Sequence, residues 1–173
     1  MKKIVLLLAI ATVSLKSFAQ TQSGDVTSKN SWLKLGVNIG VPFGDLSDVS
    51  NFTLGAELKG QLMETKHWGI GLTTGYNHFF PKSGFSNFGT IPLGAFVRYY
   101  PKSTGFFAGV DAGYSFITGV PDATGGVYAR PQLGYHNYSW NVFAFYNGIF
   151  RNTDNGGNLQ YAGIGATYNI HFK

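Results

Sequence analysis

The chain contains no cysteine and little charge, and both shortages narrow what it can be. Without cysteine there can be no disulfide scaffold and no lipid-bearing cysteine after a secretion signal. Only 12% of the 173 residues are charged, against about 25% in an ordinary globular domain, so side chains that solvate a surface are scarce. No window after residue 20 approaches the ~20 consecutive apolar residues of a transmembrane helix, which argues against a helical membrane protein.

The N-terminal segment, MKKIVLLLAIATVSLKSFAQ, has the features of a secretory signal peptide. Residues 2–3 form a positive start, residues 4–13 a short apolar run, and residues 17–19 a cleavage site with small residues. An uncleaved anchor helix is the alternative. We therefore expect a signal peptide over 1–19, a periplasmic N-terminal lead over 20–31 and a β-barrel over 32–173.

The same segment accounts for much of the formal net charge of +5, because it holds three of the 13 basic residues, Lys2, Lys3 and Lys16. The remainder of the chain is close to neutral. A nucleic-acid-binding surface would need clustered basic residues, so we expect no nucleic-acid partner.

From residue 32 onward, apolar and polar residues alternate in eight segments, a period that indicates β-strands with two unlike faces. In the last one, AGIGATYNIHFK, every second residue from Ala162 to Phe172 is apolar. Each segment is close to the ~9–11 residues that a tilted strand needs to cross a bilayer. The predicted strands are 32–41, 52–62, 68–79, 91–100, 106–117, 126–135, 139–150 and 159–172.

The connections between these strands alternate in length along the chain. In order they read PFGDLSDVSN, METKH, FPKSGFSNFGT, PKSTG, TGVPDATG, HNYS and RNTDNGGN. Outer-membrane barrels have short periplasmic turns and longer extracellular loops, and an even number of strands returns both termini to one side. We therefore predict an all-β, eight-stranded, antiparallel up-and-down transmembrane β-barrel in the bacterial outer membrane, with periplasmic termini and extracellular long loops.

Charged residues within the predicted strands all fall on the face opposite the aliphatic side chains. Because an Arg or Lys facing lipid near mid-bilayer costs ~2–4 kcal/mol, this distribution favours lipid outside and charge inside. A soluble barrel of the lipocalin type is the alternative, but its exterior would need many more Lys and Glu. The predicted lumen charges are Lys34, Glu57, Lys59, Arg98, Asp111 and Arg130.

Aromatic residues concentrate where the predicted strands begin and end. Amphipathic rings at these positions are typical of the girdles that mark the two membrane interfaces. Trp32 differs, because its position in the alternation points inward and makes it a candidate lumen plug. The predicted girdle residues are Trp68, Tyr99, Phe106, Trp140 and Phe172 at the periplasmic rim, with Tyr76, Phe116 and Tyr146 at the other.

The chain resembles the small eight-stranded bacterial outer-membrane barrels of the OmpA/OmpX-like group over residues 32–173. The closing GATYNIHF looks like the C-terminal signal by which such barrels are recognised for assembly. Lys173 departs from the pattern, since many members end on the aromatic residue. The resemblance implies a monomer that contacts outer-membrane lipid and, during biogenesis, the barrel-assembly machinery and periplasmic chaperones. The implied signal residues are Gly165, Tyr168, Ile170 and Phe172.

The lumen charges support two hypotheses about function. One is a salt-bridge plug in a barrel with a structural or surface-interaction role, because an eight-stranded barrel is only wide enough for its own side chains. The other is a narrow gated channel for small solutes or ions, whose ion pairs can exchange. Recognition or adhesion through the long loops is a further possibility, because loops on a rigid scaffold carry binding sites.

Enzymatic and metal-binding readings find weaker support. A lipid-modifying enzyme of the outer leaflet would use His78 with Ser83 or Ser86 and a loop aspartate, Asp45 or Asp48, but no spaced motif joins them. His67, His136 and His171 are expected near one rim, but His67 and His136 belong to turns across the barrel from each other, so the three are too far apart to converge on a metal. We expect no catalytic residues, no bound metal and no cofactor.

Overall fold

The computed structural model describes residues 32–65, 67–151 and 157–170. The predicted signal peptide, the N-terminal lead, His171 and Phe172 lie outside the described residues. Eight strands and one short helix make up the described chain. Their bounds are β1 Leu33–Phe43, α1 Leu46–Val49, β2 Ser50–Glu64, β3 Trp68–Pro81, β4 Phe88–Tyr99, β5 Gly105–Thr118, β6 Gly126–His136, β7 Trp140–Phe150 and β8 Leu159–Ile170.

The strands form a closed barrel in which each strand pairs with its neighbours in sequence. Every pairing is antiparallel, and β1 closes the barrel against β8 from Leu33 opposite Ile170 to Phe43 opposite Gln160. Closure leaves no strand edge unpaired, which a sheet needs if it is to lie in lipid. The predicted fold class, an all-β eight-stranded up-and-down barrel, is confirmed.

The two ends of the barrel differ in the lengths of the connections between their strands. We name the end with connections 44–49, 82–87, 119–125 and 151–158 the loop end, and the end with connections 65–67, 100–104 and 137–139 the turn end. Residues 32 and 170 also lie at the turn end. The first connection of the loop end contains α1, which the sequence analysis did not predict. No helix in the described ranges is long and apolar enough to cross a bilayer.

The exterior of the barrel is apolar and its interior is polar, the reverse of a soluble protein. Large aliphatic side chains are exposed on the outside: Val37 is 60% exposed, Ile164 62% and Leu133 69%. On the inside, Lys59 and Arg98 are completely buried. This inversion is what a lipid solvent requires, because apolar side chains gain nothing by leaving hydrocarbon whereas charges do.

The narrow interior depends on glycines that let neighbouring strands and rings approach. A Cβ atom at Gly163 would overlap the carbonyl oxygen of Ile39 on the adjacent strand. At Gly165 a Cβ would lie 2.7 Å from the Phe143 ring, so the ring occupies the space that a side chain would need. Glycine in these strands therefore makes room for the large interior side chains.

The bounds of the predicted strands differ from the structure by up to three residues, most at the start of β4, and the predicted role of Trp32 also needs correction. β4 begins at Phe88, three positions before the predicted start, because Phe88 and Gly89 pair with β3. Trp32 precedes β1 and is 41% exposed, so the prediction that it plugs the lumen is wrong.

Candidate functional site

The centre of the barrel contains a chain of ion pairs that crosses the lumen. Glu57 and Lys59 extend from β2, while Asp111 and Arg130 are directly opposed on β5 and β6. Arg130 Nη1 donates to Glu57 Oε2 at 2.7 Å, and Lys59 Nζ donates to Asp111 Oδ2. Lys59 Nζ also lies 3.9 Å from Glu57 Oε1. Four buried charges from three strands are thus joined in one network.

Phenylalanine rings enclose the cations of this network. The guanidinium carbon of Arg130 lies 3.9 Å from the centroid of Phe145, and that of Arg98 lies 4.7 Å from the centroid of Phe107. Lys59 Nζ is 5.6 Å from the centroid of Phe96. Desolvated cation–π contacts of this kind are worth about 2 kcal/mol each. Aromatic rings and ion pairs therefore lie together at the centre of the lumen.

The sequence analysis missed these interior rings. It assigned aromatic residues to the membrane girdles, although Phe96 shares the inward parity of Arg98 and Phe107 shares that of Asp111. The signal that could have identified them was therefore the same alternation that identified the lumen charges. The missed interior rings are Phe96, Phe107, Phe143 and Phe145.

Arg98 joins the network through an amide. Its Nη2 donates to Gln132 Oε1 at 3.0 Å, and Gln132 Nε2 donates to Asp111 Oδ1 at 2.6 Å. In the described ranges Arg98 has no carboxylate oxygen within 4.0 Å. The Gln132 amide thus bridges Asp111 and Arg98 through two hydrogen bonds, a role that sequence reasoning did not assign.

Lys34 lies in a separate polar cluster near the turn end. Lys34 Nζ donates to Asn169 Oδ1 at 3.1 Å, and Asn141 Nδ2 donates to the same oxygen at 2.8 Å. Asn169 Nδ2 in turn donates to the backbone oxygen of Tyr138 at 2.9 Å. The six predicted lumen charges therefore divide into a central network of five and Lys34, which lies nearer the turn end.

The half of the lumen nearer the loop end contains both apolar and polar side chains, and those buried in the described ranges carry no charge. Six of its buried side chains have polar atoms without a hydrogen-bond partner among the described residues. A cavity of about 10 Å³ lies beside Glu57 and Arg130, close to the space that one water needs. Buried polar groups are normally satisfied, so ordered water is the expected partner here. The six side chains are Asn38, Thr53, Asn77, Thr90, Ser115 and Tyr128.

The seven predicted girdle residues within the described ranges lie on the outer surface, towards its two ends. At the turn end Trp68 packs against Tyr99 with ring centroids 4.9 Å apart, and Phe106 is 78% exposed. Trp140 packs against Tyr168 at 5.0 Å. Their role at a membrane interface stays a prediction. Nearer the loop end the exposed rings are Tyr76, Phe116 and Tyr146.

The predicted assembly residues on β8 occupy different faces. Gly165 is buried and faces the lumen, Tyr168 is 40% exposed on the outside, and Ile170 is half-buried at the end of the strand. Phe172, the last member of the predicted signal, lies outside the described residues.

The histidines have separate partners. Tyr76 Oη lies 3.2 Å from His78 Nδ1 on the outer surface, and the two predicted serines lie in the exposed connection 82–87. His67 Nδ1 is 3.0 Å from Tyr100 O, and His136 Nε2 is 3.1 Å from Lys102 O. The described part of the chain holds no group of three residues able to bind a metal ion.

Comparisons with known proteins identify the class of fold. No family model and no curated protein matches the sequence. A de novo designed transmembrane β-barrel is 18% identical with a TM-score of 0.51, over 85% of this chain and 100% of that one. The N-terminal β-barrel domain of Pseudomonas aeruginosa OprF is 13% identical with a TM-score of 0.47, over 82% and 99%. The chain has the fold of an eight-stranded transmembrane β-barrel.

Proposed function

We propose that this protein is a monomeric, non-enzymatic barrel of the bacterial outer membrane whose lumen is closed and whose role is structural or exerted at the cell surface. The turn end and both termini face the periplasm, and the loop end faces outward. The apolar exterior and the unequal connections support this orientation. Assembly through periplasmic chaperones and the barrel-assembly machinery belongs to the same proposal.

The central network is the observation that most directly supports the proposal of a closed lumen. It links β2 to β5 and β6 through Arg130–Glu57 and Lys59–Asp111, and Phe145 lies directly against Arg130. The adjacent cavity of about 10 Å³ admits one water at most. A hydrated ion would therefore have to separate buried ion pairs in order to pass.

Conductance in a planar bilayer tests the closed lumen. We expect the refolded protein to insert without steady unitary conductance, because the network and the rings lie together at the centre of the lumen. Stable openings that Glu57→Gln alters or abolishes would contradict the proposal. Asp48→Asn, which removes an exposed carboxylate from α1, is the matched control and should change nothing.

A narrow gated channel is the second candidate. Support for it comes from the polar atoms without partners in the half of the lumen near the loop end. Water bound to them would hydrate the lumen from the loop end as far as the central network. Opening would require Arg130 to leave Glu57 for another acceptor. The same bilayer recordings distinguish this candidate, since it predicts openings that depend on Glu57.

An enzyme of the outer leaflet gains little support from the geometry around His78. The His78 ring lies within hydrogen-bond distance of Tyr76 Oη, and Phe80 packs edge-on against it at 4.7 Å. Neither contact brings a serine or an acidic residue to the His78 ring. Profiling of lipid A from cells that carry His78→Ala tests the point, and an unchanged profile is the expected result.

A further inference from the structure

A cavity of about 500 Å³ opens at the loop end, outside the central network. It lies between α1, the connection 119–125 and the ends of β4, β5 and β8. Its volume falls in the range of ~300–1,000 Å³ that is typical of small-molecule sites.

The floor of this cavity, which we name the mouth cavity, is apolar and packs against the buried core. Leu46 of α1 and Leu159 of β8 are both buried, and Ile117 lies beside them. Phe88 also lines the floor, and its ring stacks on Phe79 with centroids 4.5 Å apart and an angle of 5° between the planes. The Phe79 ring is completely buried, which fixes the position of Phe88. An apolar ligand could therefore bury its surface on a preformed base.

The charged lining of the mouth cavity is predominantly acidic. Asp45 and Asp122 contribute two carboxylates, and neither has a cationic partner within 4.0 Å in the described ranges. Arg151 is the cation of the lining, and its Nε already donates to the backbone oxygen of Gly157 at 2.9 Å. With two carboxylates against one guanidinium, the described charges of the lining sum to −1.

We propose that the mouth cavity binds a small amphipathic organic cation, with its apolar body on the Phe88 floor and its ammonium group between Asp45 and Asp122. The inference extends the proposed surface role, because access from outside the cell depends on the proposed orientation. Binding itself is measured on purified protein and does not depend on that orientation.

A charge series of three naphthyl ligands tests the proposal in lipid nanodiscs. The ligands are 1-naphthylmethylamine, the neutral 1-naphthalenemethanol and the anionic 1-naphthoate, which share one ring. Methyl-labelled protein reports where each ligand binds: Leu46 and Ile117 line the cavity, whereas Ile164 faces lipid. We expect saturable shifts at Leu46 and Ile117 with the amine, about five- to tenfold weaker binding of the alcohol, and little binding of the acid. Equal shifts at Ile164 would indicate partition into lipid and would overturn the proposal.

Two variants test whether the carboxylates of Asp45 and Asp122 cause the preference for the amine. Asp45→Asn and Asp122→Asn should each weaken binding of the amine about three- to fivefold and leave the alcohol unchanged. Asp48→Asn, an exposed α1 residue that does not line the cavity, carries the same change of charge and should have no effect. A loss in Asp48→Asn equal to that in Asp45→Asn would refute the assignment, because it would show only a general surface attraction.

A variant that fills the cavity tests whether the ligand binds there or elsewhere on the protein. Ala123 lines the wall in the connection 119–125, away from the buried floor, so Ala123→Trp should leave the barrel folded. It should reduce binding of the amine and the alcohol at least tenfold. Ser86→Trp adds the same ring to a connection that does not line the cavity and should bind as the unaltered protein does. Unchanged binding in folded Ala123→Trp would overturn the proposal.

Discussion

Replacement of Glu57 by glutamine tests the central network most sharply, because Glu57 is the carboxylate that two cations share. In the intact barrel it accepts from Arg130 at 2.7 Å and lies 3.9 Å from Lys59. Glutamine keeps the shape but removes the charge. Asp111 would then be the one carboxylate left in the central network for Lys59, Arg98 and Arg130.

The expected cost is large because the three cations are buried. Removal of one partner from a buried ion pair typically destabilises a protein by about 3–5 kcal/mol. Arg130→Met removes the other partner and should cost a similar amount, whereas the double variant should be less unstable than the sum by about 1–3 kcal/mol. Methionine can still pack against Phe145 in place of the guanidinium.

Equilibrium unfolding in urea from lipid vesicles, followed by tryptophan fluorescence, measures these free energies. Asp48→Asn is the matched control, and we expect it to stay within about 0.5 kcal/mol of the unaltered protein because its carboxylate is exposed. If Glu57→Gln were as stable as Asp48→Asn, the buried network would contribute nothing and the reasoning would fail.

Three further outcomes follow from the packing of the barrel wall. Gly163→Ala should destabilise by about 1–3 kcal/mol, because a methyl group would overlap the Ile39 carbonyl, whereas Gly60→Ala, with open space around it, should be neutral in the same unfolding assay. A double-mutant cycle on Trp140 and Tyr168 should give a coupling of about 0.5–1.5 kcal/mol, and a coupling of zero would deny the contact seen at 5.0 Å. Ile164→Arg should cost about 2–4 kcal/mol in a bilayer; a cost as small as that of Phe85→Arg in an exposed connection would count against a lipid-facing β8.

The fold could be predicted from the sequence because the lipid solvent imposes a strict period-two pattern. Lys34, Lys59 and Arg98 occupy the face opposite the exposed aliphatic residues, and the structure buries all three. Strand boundaries were less accurate. The early start of β4 depends on pairing of Phe88 and Gly89 with β3, and local alternation contains no information about pairing partners.

The contacts inside the lumen could not be predicted in this way. Parity places Glu57 and Arg130 on the interior face but does not say that they meet across the barrel from strands far apart in sequence. The bridge through Gln132 likewise depends on the register of β4, β5 and β6. The mouth cavity was also beyond sequence reasoning, because α1 and the connection 119–125 become neighbours only when the barrel closes.

The absence of cysteine makes a clean accessibility measurement possible. Single cysteines at Ala162, Ile164 and Ala166, and at Thr167 and Asn169, would carry a spin label along β8 in lipid vesicles. The account predicts strong relaxation by dissolved oxygen and little by a water-soluble nickel complex at the first three positions. At the last two, which are buried in the lumen, both effects should be weak. Strong relaxation by the nickel complex at Ile164 would mean that water covers the aliphatic face, and the transmembrane arrangement would be wrong.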